Sequence, residues 1–218
     1  DPASQPCGRC SVCRGELPHP GHAPDPATVE MVYRSLRRRP VRITPRKLWP
    51  SGSGRKGKIA GIGIGRAVTR IDGGVYPELV EEAFGPDAPL SPELHEAFTE
   101  LLARWRREDM PQVSAVVPVS SASHPERVRE LAELAAAQLG LPLVEAFGPP
   151  AAVEEPVEGS ARLRQVSDRL RLQRSGGVGG TVLLVDEFSR SKWTLTQAAC
   201  LLQEIGADEV VPVVVVGA

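Results

Sequence analysis

From residue 113 to residue 216, short unbroken apolar runs alternate with segments whose apolar residues recur every three or four positions. A run that is apolar at every position suits a strand covered on both faces, and strands separated by helices pair in parallel through crossovers. Residues 113–119, 142–147, 182–185 and 210–216 read as strands, and residues 124–139, 161–172 and 193–205 as helices. The pattern predicts an α/β domain over residues 111–218, a parallel sheet with flanking helices.

Hydrophobic residues make up 41% of the 218 residues but aromatics only 4%, so Val, Leu and Ala must fill the core. No apolar run approaches the roughly 20 residues that span a bilayer, and no basic-then-apolar leader is present. The expectation is a cytoplasmic, nucleoid-associated protein with no membrane partner. The chain opens on Asp1 and reads as a piece of a longer one.

Upstream of residue 111 the elements are shorter. Residues 26–38 have helical spacing, with Pro26 in the first turn and Pro40 as terminator. Residues 41–44 alternate like a strand that Lys47, Leu48 and Trp49 extend. A basic Gly-rich loop, residues 51–58, leads to β-branched residues 59–69, giving a wing-like hairpin. Residues 75–84 and 92–107 read as helices, the second with an apolar face of Leu94, Phe98, Leu101, Leu102 and Trp105.

The stretch richest in chemistry is Val182-Leu183-Leu184-Val185-Asp186-Glu187-Phe188-Ser189-Arg190-Ser191-Lys192-Trp193-Thr194. Two carboxylates follow a buried strand, and a hydroxyl-rich loop then enters a helix. Ligands bind at the carboxyl ends of parallel strands, and helix N-termini favour phosphate. The segment resembles the phosphoribosyl-pyrophosphate motif of type I phosphoribosyltransferases: four apolar residues, two acids, three variable residues, Thr-Gly, one variable residue and Thr or Ser. The resemblance implies that Asp186 and Glu187 meet ribose hydroxyls. It also implies that Ser189, Arg190, Ser191, Lys192, Trp193 and Thr194 surround a phosphate, with Ser120 and Ser121 on the pyrophosphate loop. Magnesium would accompany phosphoribosyl pyrophosphate if that ligand binds. Lys192 departs from the pattern by replacing glycine, and Trp193 either narrows the pocket, stacks on a base or packs in the core.

Cys7, Cys10 and Cys13 form Cys-x2-Cys-x2-Cys, which gathers three thiolates for structural zinc. The fourth ligand would precede Asp1 or be His19 or His22, while Cys200 reads as a packing residue. Residues 6–13 are similar to the last three ligands of the zinc module in RecQ-type DNA helicases. Some bacterial members of that family carry a winged-helix region and a C-terminal phosphoribosyltransferase-like domain, the order met here.

Between residues 34 and 58 lie ten basic residues and no acidic one. Such a run suits phosphate contacts along nucleic acid, here by Arg37, Arg38, Arg39, Arg42, Arg46, Lys47, Arg55, Lys56 and Lys58. Trp49 and Tyr33 are candidates for stacking. The combined expectation is the C-terminal accessory region of a RecQ-like ATP-dependent helicase, with DNA and the preceding helicase core as partners. It would comprise a zinc segment (1–25), a basic winged-helix-like module (26–110) and a phosphoribosyltransferase-like domain (111–218) that binds a phosphate-bearing ligand without efficient catalysis. No Gly-x4-Gly-Lys-Ser/Thr loop is present, so the chain itself should not hydrolyse ATP. The alternative is an active phosphoribosyltransferase.

Overall fold

A computed structural model of the chain describes residues 6–16, 23–37, 39, 41–72, 74, 76–149, 159–173 and 177–218. The chain divides into two units after Arg39. In the first, α1 (Ser11–Arg14) ends at Gly15 in the left-handed region, and α2 (Pro26–Arg37) buries none of its residues. Asp25 opens α2 by accepting hydrogen bonds from the Thr28 amide and hydroxyl.

The second unit is α/β. Its mixed sheet has the order β1-β2-β5-β4-β3, with β1 (Val41–Ile43), β2 (Gly65–Arg70), β3 (Val113–Pro118), β4 (Gly180–Ser189) and β5 (Ala207–Gly217). Among the described strands only β1 runs antiparallel to its neighbour; β2, β5, β4 and β3 pair in parallel. Leu143 adds a single parallel bridge to Val116, and this bridge with one from Phe147 to Leu172 is all that forms where residues 142–147 read as a strand.

The apolar runs are continuous because both faces of the sheet are covered. Val182 and Leu184 on β4 pack with Leu163 and Val166 of α6 (Gly159–Arg169), with Leu170 just after it, and with Leu195, Ala198 and Leu202 of α7 (Trp193–Glu204). Leu183 and Val185 face the opposite layer, made by α3 (Pro77–Phe84), α4 (Pro92–Glu108) and α5 (Pro125–Leu139). The predicted apolar face of α4 is buried throughout, and Gly140 ends α5 in the left-handed conformation.

The expected boundary at residue 110 is not where the chain divides. β2 lies beside β5 in the same sheet as β3 and β4, and α3 and α4 share one core cluster with α5. Residues 40–110 therefore complete the α/β unit and do not form a winged-helix-like body of their own. Local pattern reads residues 59–69 as strand-like, and β2 takes up Gly65–Arg70; its partner, some 145 residues later, is a tertiary choice.

The basic hairpin does form. Leu48 bridges Lys58 in antiparallel fashion, and the Ile59 amide donates to Lys47 O over 3.0 Å.

Candidate functional site

A cleft of about 390 Å³ opens at the carboxyl ends of β3 and β4. This falls within the ~300–1,000 Å³ common for small-molecule sites. The segment after β3 contributes Val119, Ser120, Ser121, Ala122, Ser123 and His124. The end of β4 and the loop beyond it contribute Asp186, Glu187, Arg190, Ser191, Lys192 and Thr194, and α6 adds Arg162 and Arg169.

β4 runs through both acids to Ser189, so strand alternation sends neighbouring carboxylates to different surroundings. Glu187 is 1% exposed. Its Oε1 lies 2.6 Å from Arg127 Nη1 and its Oε2 2.6 Å from His124 Nδ1. Burial pushes this carboxyl up, while the Arg127 hydrogen bond and the charges of His124 and Arg127 pull it back. His124 Nε2 in turn faces Gly85 O at 2.9 Å. A carbonyl only accepts, so Nε2 donates there and Nδ1 is the nitrogen that faces Glu187 Oε2.

Asp186 is the free carboxyl of the cleft. Burial pushes it up to about 7, against the Glu187 amide that donates to its Oδ1 over 2.8 Å. A carboxyl poised near neutrality can accept from a sugar hydroxyl or exchange a proton at ordinary pH.

The loop after β4 turns sharply into α7. Lys192 is the only non-glycine residue at positive φ among the described residues, at φ 64, where glycine carries no steric cost. Its carbonyl accepts from the Thr196 amide and hydroxyl at 3.0 and 2.7 Å, which starts the helix. The lysine has thus taken a glycine-type backbone conformation, and it is among the residues that line the cleft.

Comparisons with family models, curated proteins and solved structures found no match. The site therefore rests on its own geometry.

That geometry separates the expected ligand residues. Arg190, Ser191, Lys192 and Thr194 line the cleft, as do Ser120 and Ser121. Ser120 Oγ donates to Gly148 O at 2.6 Å and Ser121 Oγ accepts from the His124 amide, so both also brace the loop. Glu187 is committed to Arg127 and His124 and is not free for a ribose hydroxyl. Ser189 is buried with its Oγ lacking a protein partner and is not in the lining. Trp193 is a core residue: it is 3% exposed and stacks on Trp49 at 6.3 Å and 10°. Neither the expected narrowing of the pocket nor stacking on a base is available to it, because α7 turns its ring toward the hairpin.

Arg162, Arg169, His124 and Arg127 escaped the sequence reading as site residues. The basic character of residues 161–172 was a signal for the first two. His124 and Arg127 carry none, since only the packing of α5 beside β4 brings them to Glu187. Burial and the nearby Arg169 and Arg190 push the Arg162 guanidinium below its ordinary value. Clustered cations of this kind are relieved by an anion between them.

The basic run is split between the two units. Arg37 and Arg39 belong to the first, Arg38 lies outside the described residues, and Arg42, Arg46, Lys47, Arg55, Lys56 and Lys58 are exposed in the second. Arg46 is partly engaged, donating from Nε to Ser191 O at 2.8 Å with its guanidinium 4.2 Å from the Trp193 ring. Trp49 stacks on Trp193 and carries Arg55 at 4.6 Å over its ring, so its faces serve the protein. Tyr33 is exposed on α2.

The cysteine expectation meets a fitting geometry. One thiol sulfur from each of Cys7, Cys10 and Cys13 lies within 4.8 Å of the others, as ligands of one metal ion would. Cys7 Sγ accepts from the amides of Arg9 and Cys10, each at 3.4 Å, and these bonds lower its thiol to about 7. Three gathered sulfur donors suit structural zinc, which takes four ligands. His19 and His22, the candidates for the fourth, lie outside the described residues. Cys200, on α7, is half-buried and its thiol is pushed up by burial, as a packing residue requires.

Among the described residues no helix is long and apolar enough to cross a membrane.

Proposed function

We propose that the α/β unit binds a phosphorylated sugar or nucleotide in the cleft and does not transfer phosphoribosyl groups efficiently. The observation that carries this reading is Lys192: a left-handed residue at the start of α7, directly after a strand whose end presents Asp186. A glycine-shaped turn with a cation on it suits a phosphate, and Asp186 suits a sugar hydroxyl. The type I phosphoribosyltransferase-like fold is part of the proposal, supported by the strand–acids–loop–helix order and the cleft at the strand ends.

Poor turnover follows from two departures. The Lys192 side chain occupies the space where the family's glycine permits close approach of the 5′-phosphate, and the second acid is held by Arg127. Displacements of about 1 Å in such a site cost on the order of 100-fold in rate. The test is titration with ribose 5-phosphate, then with phosphoribosyl pyrophosphate, magnesium and each nucleobase while pyrophosphate release is followed. Binding without release is expected. Steady release abolished by Asp186→Ala would promote the active transferase instead.

We further propose that the chain is an accessory region of a RecQ-like helicase that contacts DNA. Support comes from the order of a three-cysteine cluster, an exposed basic hairpin and an α/β unit.

A further inference from the structure

One large aromatic ring lining the cleft is more than half exposed. Phe84, the last residue of α3, is 57% exposed and lines the cavity shared by Asp186, Arg190 and Lys192. It rests on Phe188 at 4.7 Å and 42°, and Phe188 leans on His124 at 6.5 Å and 43°.

A single exposed apolar residue is ordinary. What surrounds this one is not. The buried Arg127 guanidinium donates to Glu82 O at 3.0 Å, to Pro86 O at 2.5 Å and to Ala88 O at 3.3 Å, while its Nη1 holds Glu187. His124 takes Gly85 O, and the Asp87 carboxylate accepts from the amides of Glu126 and Arg127 at the start of α5. The segment on both sides of Phe84 is thus fixed to the end of β4 by buried, charge-assisted hydrogen bonds. The backbone that carries the ring is held in place before any ligand arrives, which lowers a cost that binding would otherwise carry.

We infer that Phe84 is the platform for the aromatic base of a nucleoside phosphate whose phosphate meets the Arg190–Lys192 loop. This rests on the phosphate-binding reading above and adds the ligand's other end. The same cavity offers cations, a carboxyl acceptor for sugar hydroxyls and an open aromatic face. A nucleotide carries all three complementary groups, whereas inorganic phosphate or a sugar phosphate leaves the ring wet. Glu187, His124 and Arg127 are positioning residues for Phe84 and are not ligands.

The experiment is calorimetric titration of the full chain with ribose 5-phosphate and with adenosine, guanosine, cytidine and uridine monophosphates, repeated on Phe84→Ala and Phe84→Tyr. At least one nucleotide should bind about tenfold more tightly than ribose 5-phosphate, in line with the worth of one base–aromatic stack. Phe84→Ala should bring the two within about twofold while leaving ribose 5-phosphate unchanged, and Phe84→Tyr should keep the preference. Equal binding of sugar phosphate and nucleotides, or a preference that survives Phe84→Ala, overturns the assignment while the phosphate reading stands. Failure of every phosphate to bind overturns both. If Phe84→Ala changes only the sedimentation of the chain, a second copy covers the ring and the assignment is wrong.

Discussion

Arg127 Nη1 and Glu187 Oε1 meet at 2.6 Å between two side chains that are each 2% exposed, so α5 and β4 are joined by a buried ion pair directly behind the cleft. Removing one partner from such a pair leaves a charge without compensation and costs about 3–5 kcal/mol. Arg127→Met should therefore lower stability in urea by that order. It should also free the segment around Phe84, read as faster amide exchange at Phe84, Gly85, Asp87 and Ala88. A variant as stable as the parent would mean that the pair is not ionised.

Asp186 supplies a pH signature. Its folded-state value near 7 stands above the ordinary 3.8, so the folded chain holds this proton more tightly than the unfolded chain. Stability then falls as pH rises between those values and levels off above 7. Comparing urea denaturation at pH 5 and pH 8, Asp186→Asn should lose roughly 3 kcal/mol less than the parent across that interval. Identical losses would place the proton elsewhere.

At Lys192 the backbone and the side chain pull in opposite directions. Left-handed conformation costs a non-glycine residue about 1 kcal/mol or more. Lys192→Gly should raise the melting temperature, whereas Lys192→Ala should not, because alanine keeps the strain. Both variants should bind ribose 5-phosphate more weakly, having lost the ammonium. If both bind as the parent does, the lysine does not touch the phosphate.

For the metal, Cys7→Ser should reduce zinc content measured by mass spectrometry, and Cys200→Ser should leave it unchanged. Thiolates are the ligands, so zinc uptake should strengthen between pH 6 and pH 8. Cobalt substitution offers a second readout, a thiolate charge-transfer band that Cys7→Ser weakens. Equal metal in parent and Cys7→Ser would remove the cluster from consideration.

On the hairpin, Lys47, Lys56 and Lys58 are exposed, whereas Arg46 is engaged by Ser191 and Trp193 and Arg55 lies over Trp49. Replacing all three lysines with Gln should weaken duplex DNA binding and flatten its dependence on salt, by up to about one unit of slope for each phosphate no longer neutralised. Unchanged affinity and slope would make the hairpin a solvated face.

The sequence alone determined the alternation of strands and helices from residue 113 onward apart from the strand read at residues 142–147, the apolar face of α4, the cysteine spacing and the position of the acids and hydroxyls at the end of β4 and in the loop beyond it. Each of these is written in neighbouring residues, through periodicity, caps and turn chemistry. Only the tertiary structure decided that β2 pairs with β5, that Glu187 turns away to Arg127 while Asp186 faces the cleft, and that Trp193 packs on Trp49. Those outcomes depend on which distant surfaces meet: 60 residues separate Arg127 from Glu187, and 144 separate Trp49 from Trp193. Local pattern assigns a side chain to one face of its element; burial against a partner far along the chain decides whether that face becomes core, anchor or site.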